Sequence, residues 1–195
     1  MKNLVPDSQF NLFLRASWPA ISTIGWASFG KNIVAYDGTG VPKHTGVLSH
    51  YVLDMPTTGF NTQVLGFLPR PEKSAEIVVK KIRLLQAHSQ CKSSMELRNP
   101  SVNEWGGGIR SSINPKEIRA LTGLPEIGDH LYEAQVMREC ELLTKGDWQL
   151  ITDPNTPHMI AAREFVGMSI DQFVTLKKLI FDMVNGAIVT RKFSY

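Results

Sequence analysis

Apolar residues along this chain recur at two spacings, and the change between them predicts its elements. Residues 46–55 alternate apolar with polar side chains, which is typical of a strand that buries one face. Residues 60–68 predict a second strand, and the Pro-Thr-Thr-Gly between the two segments predicts that they pair as a hairpin.

Helical spacing occurs twice in the first half of the chain. Residues 7–18 predict an N-terminal helix, which ends at Pro19 because the residue before a proline avoids helical dihedral angles. From Pro71 to about residue 88, apolar side chains recur three and four positions apart, with charged side chains opposite. The same segment is rich in β-branched residues, so a long strand over 76–88 is the alternative.

The second half of the chain predicts a loop followed by helices. Serine, asparagine, proline and glycine are frequent over 89–112, which we interpret as a loop. Asn114 to Glu117 form a variant of the capping box and predict a helix from Pro115. Further helices are predicted over 129–145, 156–167 and 169–185. Residues 147–152 are interpreted as a strand, and 187–195 as a strand or a tail.

The order of these elements predicts an α+β fold. An N-terminal helix and a small antiparallel sheet precede a mainly helical C-terminal half. A length of 195 residues suits a single compact domain over 1–195, with a loose division near 100–113 as the alternative.

Composition excludes several classes of protein. Hydrophobic residues make up 43% and charged residues 20%, which excludes a disordered chain. Two cysteines are too few for a disulfide framework or a zinc site. No run of apolar residues is long enough to predict a transmembrane segment, and the N-terminal residues lack the apolar core of a signal peptide. We therefore expect a cytoplasmic protein, or a virion protein if the source is a virus.

The net charge of +3 conceals an uneven distribution along the chain. Residues 70–119 hold ten Lys and Arg against five Asp and Glu, which leaves +5. Residues 126–153 hold seven Asp and Glu against two Lys and Arg, which leaves −5. Such asymmetry suggests interaction surfaces. The basic span would meet an anionic partner, or the acidic span of another copy; ordinary solvated faces are the alternative.

The glycine run at 106–108 is the main candidate for chemistry. A phosphate-binding P-loop would need a Gly-Lys-Ser/Thr that is missing here, and the nucleophile elbow Gly-x-Ser-x-Gly is also missing. We interpret the run as a hinge before the predicted helix. The alternative is an anion site that combines its amides with Arg110 and the hydroxyls of Ser111 and Ser112. His88 and Cys91 could present two metal ligands, too few for a zinc site.

These observations predict a non-enzymatic structural or interaction protein that needs no cofactor or metal. Its expected partners are itself, as a homo-oligomer, and an anionic surface of nucleic acid or membrane, as in a viral coat or matrix protein. The alternatives are a small enzyme with a site near 106–119 and a regulatory nucleic-acid-binding module. Six residues are candidate anion contacts: Lys73, Lys80, Arg83, Arg110, Lys116 and Arg119.

Overall fold

The computed structural model describes residues 45–52, 61–66, 71–122 and 126–192. The predicted N-terminal helix over 7–18 lies outside these residues, as does the predicted turn of the first hairpin. The single domain predicted over the whole chain stays a prediction.

Four strands of the described residues form one antiparallel sheet in the order β2-β1-β4-β3. They are β1 (Thr45–Val52), β2 (Asn61–Gly66), β3 (Gly108–Arg110) and β4 (Glu117–Thr122). β1 pairs with β2 along its length, so the predicted hairpin pairing is confirmed. On its other edge β1 pairs with β4, with His50 opposite Arg119, and β3 closes the sheet beyond β4.

Five α-helices and two short 3₁₀ turns complete the described fold, which is α+β as predicted. The helices are α1 (Pro71–Ala87), α2 (Glu126–Glu139), α3 (Lys145–Ile151), α4 (Pro157–Val166) and α5 (Ile170–Lys192). The 3₁₀ turns are Ser94–Leu97 and Pro100–Val102. They lie in the segment that we interpreted as a loop.

Helix α1 confirms the helical spacing and excludes the alternative strand over 76–88. Val78, Ile82 and Leu85 are buried against Ile118 and Ala120, which lie on one face of β4. As a helix, the segment places all three apolar side chains against one face of the sheet. As a strand, it would have pointed them to two opposite faces. Burial against a partner therefore outweighs the β-branched composition.

Helix α2 covers the opposite face of β4, and every residue from Glu126 to Met137 is buried. Leu121 of β4 belongs to the same apolar cluster as Tyr132 and Val136 of α2 and Phe173 of α5. The sheet therefore lies between α1 on one face and α2, with α5 beyond it, on the other. Because α2 is enclosed on all sides, its polar residues have access only to partners inside the protein.

The helix predicted from Pro115 is wrong. Asn114 accepts a hydrogen bond from the amide of Glu117 at 2.8 Å, but the turn ends there and β4 follows. Residues 117–121 are all buried, and β4 pairs on both edges. A central strand buried on both faces outweighs a capping signal worth about 1 kcal/mol.

The helix predicted over 129–145 begins earlier and ends earlier, at Glu139. Glu141 adopts a left-handed φ of 58°, which ends the helix. Thr144 then caps α3 by accepting a hydrogen bond from the amide of Asp147 at 3.1 Å. The strand predicted over 147–152 is therefore wrong, because those residues lie in α3 or directly follow it.

The last two helices begin as predicted. Gly167 ends α4 with a φ of 68°. The capping box of α5 is confirmed, because the Ser169 amide donates to Gln172 Oε1 at 2.8 Å and the Gln172 amide donates to Ser169 Oγ at 3.2 Å. Helix α5 continues past Asn185 to Lys192, so the predicted end at 185 is wrong, as is the strand or tail over 187–192.

Candidate functional site

The glycine run is packed into the interior and is not a hinge. Gly106, Gly107 and Gly108 are all buried. A Cβ on Gly107 would stand 2.9 Å from both Lys81 Nζ and the Cβ of Asp129, and its φ of 99° is one that other residues rarely adopt. The glycines therefore permit α1, α2 and the loop to approach one another closely. The hinge interpretation is wrong.

The glycine run does bind an anionic group, but that group is the carboxylate of Glu126 in the same chain. The amide of Gly106 donates to Glu126 Oε1 at 2.7 Å, and Arg98 Nε donates to Glu126 Oε2 at 2.7 Å. The amide of Gly108 donates to Ser94 Oγ at 2.9 Å. A carboxylate at the first residue of α2 also meets the positive end of that helix. The loop thus fixes the start of α2, and these two amides are already occupied.

Lys81 lies directly beneath this loop, on the buried side of α1. Its Nζ lies 3.1 Å from Asp129 Oδ2 and also donates to the carbonyl of Leu121. Both charged side chains are almost fully enclosed. Taking two such charges out of water costs free energy. Their mutual attraction and their hydrogen bonds offset that cost. This ion pair joins α1, β4 and α2.

A second buried ion pair lies within β4. Arg119 and Glu117 point to the same side of the strand, and Arg119 Nη2 lies 2.6 Å from Glu117 Oε1. Both side chains are enclosed beneath α2. Their charges act on the carboxyl group of Glu133 in α2. Together Lys81, Glu117, Arg119, Asp129 and Glu133 form a group that we name the buried ionic cluster.

Glu133 is the member of this cluster that titrates near neutral pH. Neither of its carboxyl oxygens has a hydrogen-bond partner in the described part of the chain. Burial raises its pKa to about 8, with Asp129 adding to the rise and Arg119 opposing it. Below pH 8 the carboxyl group is therefore protonated. The two positive charges of the cluster then balance the two remaining negative ones.

The uneven charge along the sequence is partly resolved inside the chain. Among the residues that the structure describes, three ion pairs join the basic span to the acidic span: Lys81–Asp129, Arg98–Glu126 and Lys92–Asp147. Two of the three are buried. This internal pairing is a use of the asymmetry that the sequence analysis did not consider.

A serine–histidine pair lies nearby, but its geometry is structural. His130 Nε2 lies 2.8 Å from the Ile151 carbonyl, so this nitrogen carries the proton and Nδ1 accepts from Ser93 Oγ at 3.3 Å. Ser93 Oγ also accepts from the amide of Met95, as the cap of a 3₁₀ turn. Burial lowers the pKa of His130 to about 4. Both side chains are fully enclosed, where no substrate reaches them.

The six candidate anion contacts lie in different environments. Lys80 and Arg83 are exposed on α1, Lys116 is exposed before β4, and Lys73 lies in the first turn of α1.

The remaining two candidates are committed to internal contacts. Arg110 donates to the carbonyls of Cys91 at 3.3 Å and Pro115 at 2.8 Å, and also to that of Leu85. Arg119 is buried in the ionic cluster. Arg119 is therefore out of reach of an external phosphate, whereas Arg110 is half-buried and stays a candidate contact.

Within the described ranges no three His, Cys, Asp or Glu side chains converge as metal ligands. The helices of that same part of the chain include none with the length and apolar character needed to cross a bilayer. Comparison with protein families, curated proteins and solved structures finds no match to this chain.

Proposed function

We propose that this chain is a non-enzymatic interaction protein that associates with itself and contacts an anionic surface, as a viral coat or matrix protein does. Such a role places it in the cytoplasm or in a virion. The supporting observation is how its polar groups are divided. The groups that resemble catalytic ones are enclosed in the interior, whereas Lys80, Arg83 and Lys116 are exposed; Lys80 also donates to the Val102 carbonyl at 3.3 Å.

The exposed basic residues lie on the second half of α1 and in the turn before β4. Arg110 binds the carbonyls of Leu85 and Pro115 simultaneously, which holds this turn beside the last turns of α1. The contact brings the turn that carries Lys116 towards the end of α1. A cluster of exposed Lys and Arg is the usual means of contacting phosphate groups, and its binding weakens with salt.

The test measures binding to a labelled polyuridylate RNA and to phosphatidylserine vesicles at several salt concentrations. We expect the double variant Lys80→Glu/Arg83→Glu to lose most of the affinity. If the partner is nucleic acid, the slope of log K against log salt should fall by about 1.4, since each lost phosphate contact on a single strand contributes about 0.7.

Lys145→Glu is the matched control, because Lys145 is equally exposed but begins α3 within the acidic span. Binding to RNA alone or to vesicles alone identifies the class of partner. Failure of the wild-type protein to bind either probe at low salt would overturn the proposed anionic contact.

A further inference from the structure

Helix α5 carries a line of exposed apolar side chains beside its buried face. Phe173, Leu176, Ile180 and Val184 are buried, whereas Ile170 is 43%, Val174 54% and Phe181 41% exposed. At 3.6 residues per turn, these last three lie within an arc of about 40° and extend for about 16 Å along the helix. We name Ile170, Val174 and Phe181 the apolar stripe. Single exposed apolar residues are ordinary, but an aligned set indicates a binding surface.

We propose that the apolar stripe is a symmetric interface on which a second copy of this chain lays its own α5, antiparallel to the first. The inference rests on the proposed self-association and assigns its surface. An interface of this kind uses the same patch on both copies, so the patch must be complementary to itself.

The spacing of the stripe meets this requirement. If the two-fold axis passes between residues 175 and 176, Ile170 lies directly opposite Phe181 of the second copy. Val174 then lies close to the axis, about 4.5 Å along the helix from Val174 of the second copy. Ile170 therefore meets Phe181 of the second copy, and the two Val174 side chains lie near each other at the axis, which excludes water between them.

Charges beside the stripe favour the antiparallel arrangement. Asp171 and Lys178 are exposed on the same flank, and neither forms an ion pair within the described residues. In antiparallel helices related by a two-fold axis, equivalent flanks face each other. With the axis placed as above, Lys178 lies about 3 Å along the helix axis from Asp171 of the second copy. Two symmetry-related ion pairs result.

A parallel arrangement would place opposite flanks together and bring Lys178 towards Lys177 of the second copy. These like charges would repel, and Lys177 is already engaged through its bond to the Thr152 carbonyl and its position over the Trp148 ring. Only the antiparallel arrangement pairs Asp171 with Lys178 of the second copy, so the charge pattern favours that orientation.

The first test substitutes the centre of the stripe. We expect Val174→Asp to raise the dissociation constant of the dimer roughly a hundredfold in sedimentation equilibrium, because each dimer would bury two carboxylates without partners. Leu150→Asp is the matched control, since Leu150 is 54% exposed on α3, as is Val174 on α5. Equal association by both variants would overturn the proposal.

The second test exchanges charges and then mixes the variants. Lys178→Asp places two negative charges together at each of the two ion-pair positions, and Asp171→Lys places two positive charges together there. Each variant alone should therefore associate more weakly. An equimolar mixture should restore association, because both ion pairs re-form between unlike copies. Circular dichroism of each variant checks that it is folded. No recovery in the mixture would overturn the antiparallel arrangement.

These outcomes separate the inference from the proposed function. Wild-type protein that associates regardless of changes to Val174, Asp171 and Lys178 contradicts the α5 interface but leaves self-association standing. Wild-type protein that stays monomeric contradicts both, whereas its binding to RNA or vesicles is measured independently.

Discussion

At the scale of single residues, the close approach around Gly107 is the most demanding feature of the structure. The position combines a φ of 99° with neighbours that leave no space for a Cβ. We expect Gly107→Ala to lower the free energy of unfolding by about 2–4 kcal/mol, through backbone strain and displacement of the buried ion pair beneath it. Urea denaturation measures this change.

Gly146→Ala is the control, because nothing lies within 4 Å of the added Cβ and Gly146 is inside α3. A helical glycine exposed in this way should gain up to about 1 kcal/mol when replaced by alanine. Similar effects at both positions would contradict the packed glycine run.

The pair of Lys81 and Asp129 gives a second prediction at this scale. Lys81→Met should destabilise the protein by roughly 3–5 kcal/mol, because Asp129 would stay buried without its counter-charge. The double variant Lys81→Met/Asp129→Leu should recover much of this loss, since it removes both charges together. Lys92→Met, which breaks the more exposed pair with Asp147, should change stability by less than about 1 kcal/mol. Additive losses in the double variant would argue against a coupled buried pair.

At the scale of elements, the sequence predicts correctly where local signals and burial agree. Helix α1 has apolar spacing that one face of the sheet satisfies, and α5 has a complete capping box. Residues 114–122 show the opposite case. Their capping signal predicts a helix, but pairing with β1 and β3 and burial between two layers of helix require an extended strand. The residues of the segment 114–122 do not indicate where β1 and β3 lie, so this requirement could not be predicted from the sequence.

The buried ionic cluster was also missed, although the sequence contains a weak signal for it. Lys81 follows Val78 by three positions and precedes Leu85 by four, so it shares the apolar face of α1. A charge on such a face indicates a buried partner. The identity of that partner depends on the packing of α2 against β4, which sequence spacing does not reveal.

At the scale of the whole molecule, Glu133 and His130 should shape how stability depends on pH. The folded protein holds the Glu133 proton to about pH 8, whereas the unfolded chain releases it near 4.5. This contribution is therefore complete below pH 4.5 and is lost as pH rises to 8, by roughly 3–5 kcal/mol. His130 acts in the opposite direction, because its pKa falls from 6.5 to about 4, so its contribution is lost as pH falls through that range.

We therefore expect stability to be greatest between about pH 4.5 and 6.5, where the two effects oppose each other, and to decline towards pH 8. Glu133→Gln should remove the decline above pH 6.5 and make stability rise between about pH 4.5 and 6.5, where the effect of His130 is then unopposed. Urea denaturation at a series of pH values measures both curves. Parallel curves for the wild type and the variant would show that Glu133 is ionised in the folded protein.

The described part of the molecule thus has buried ion pairs in its interior and a surface that carries basic residues on α1 and the apolar stripe on α5. Sedimentation equilibrium of the wild-type chain over a wide range of concentration tests this account most directly. It predicts a reversible dimer that dissociates on dilution and whose affinity falls at high salt. A monomer at every concentration would contradict it.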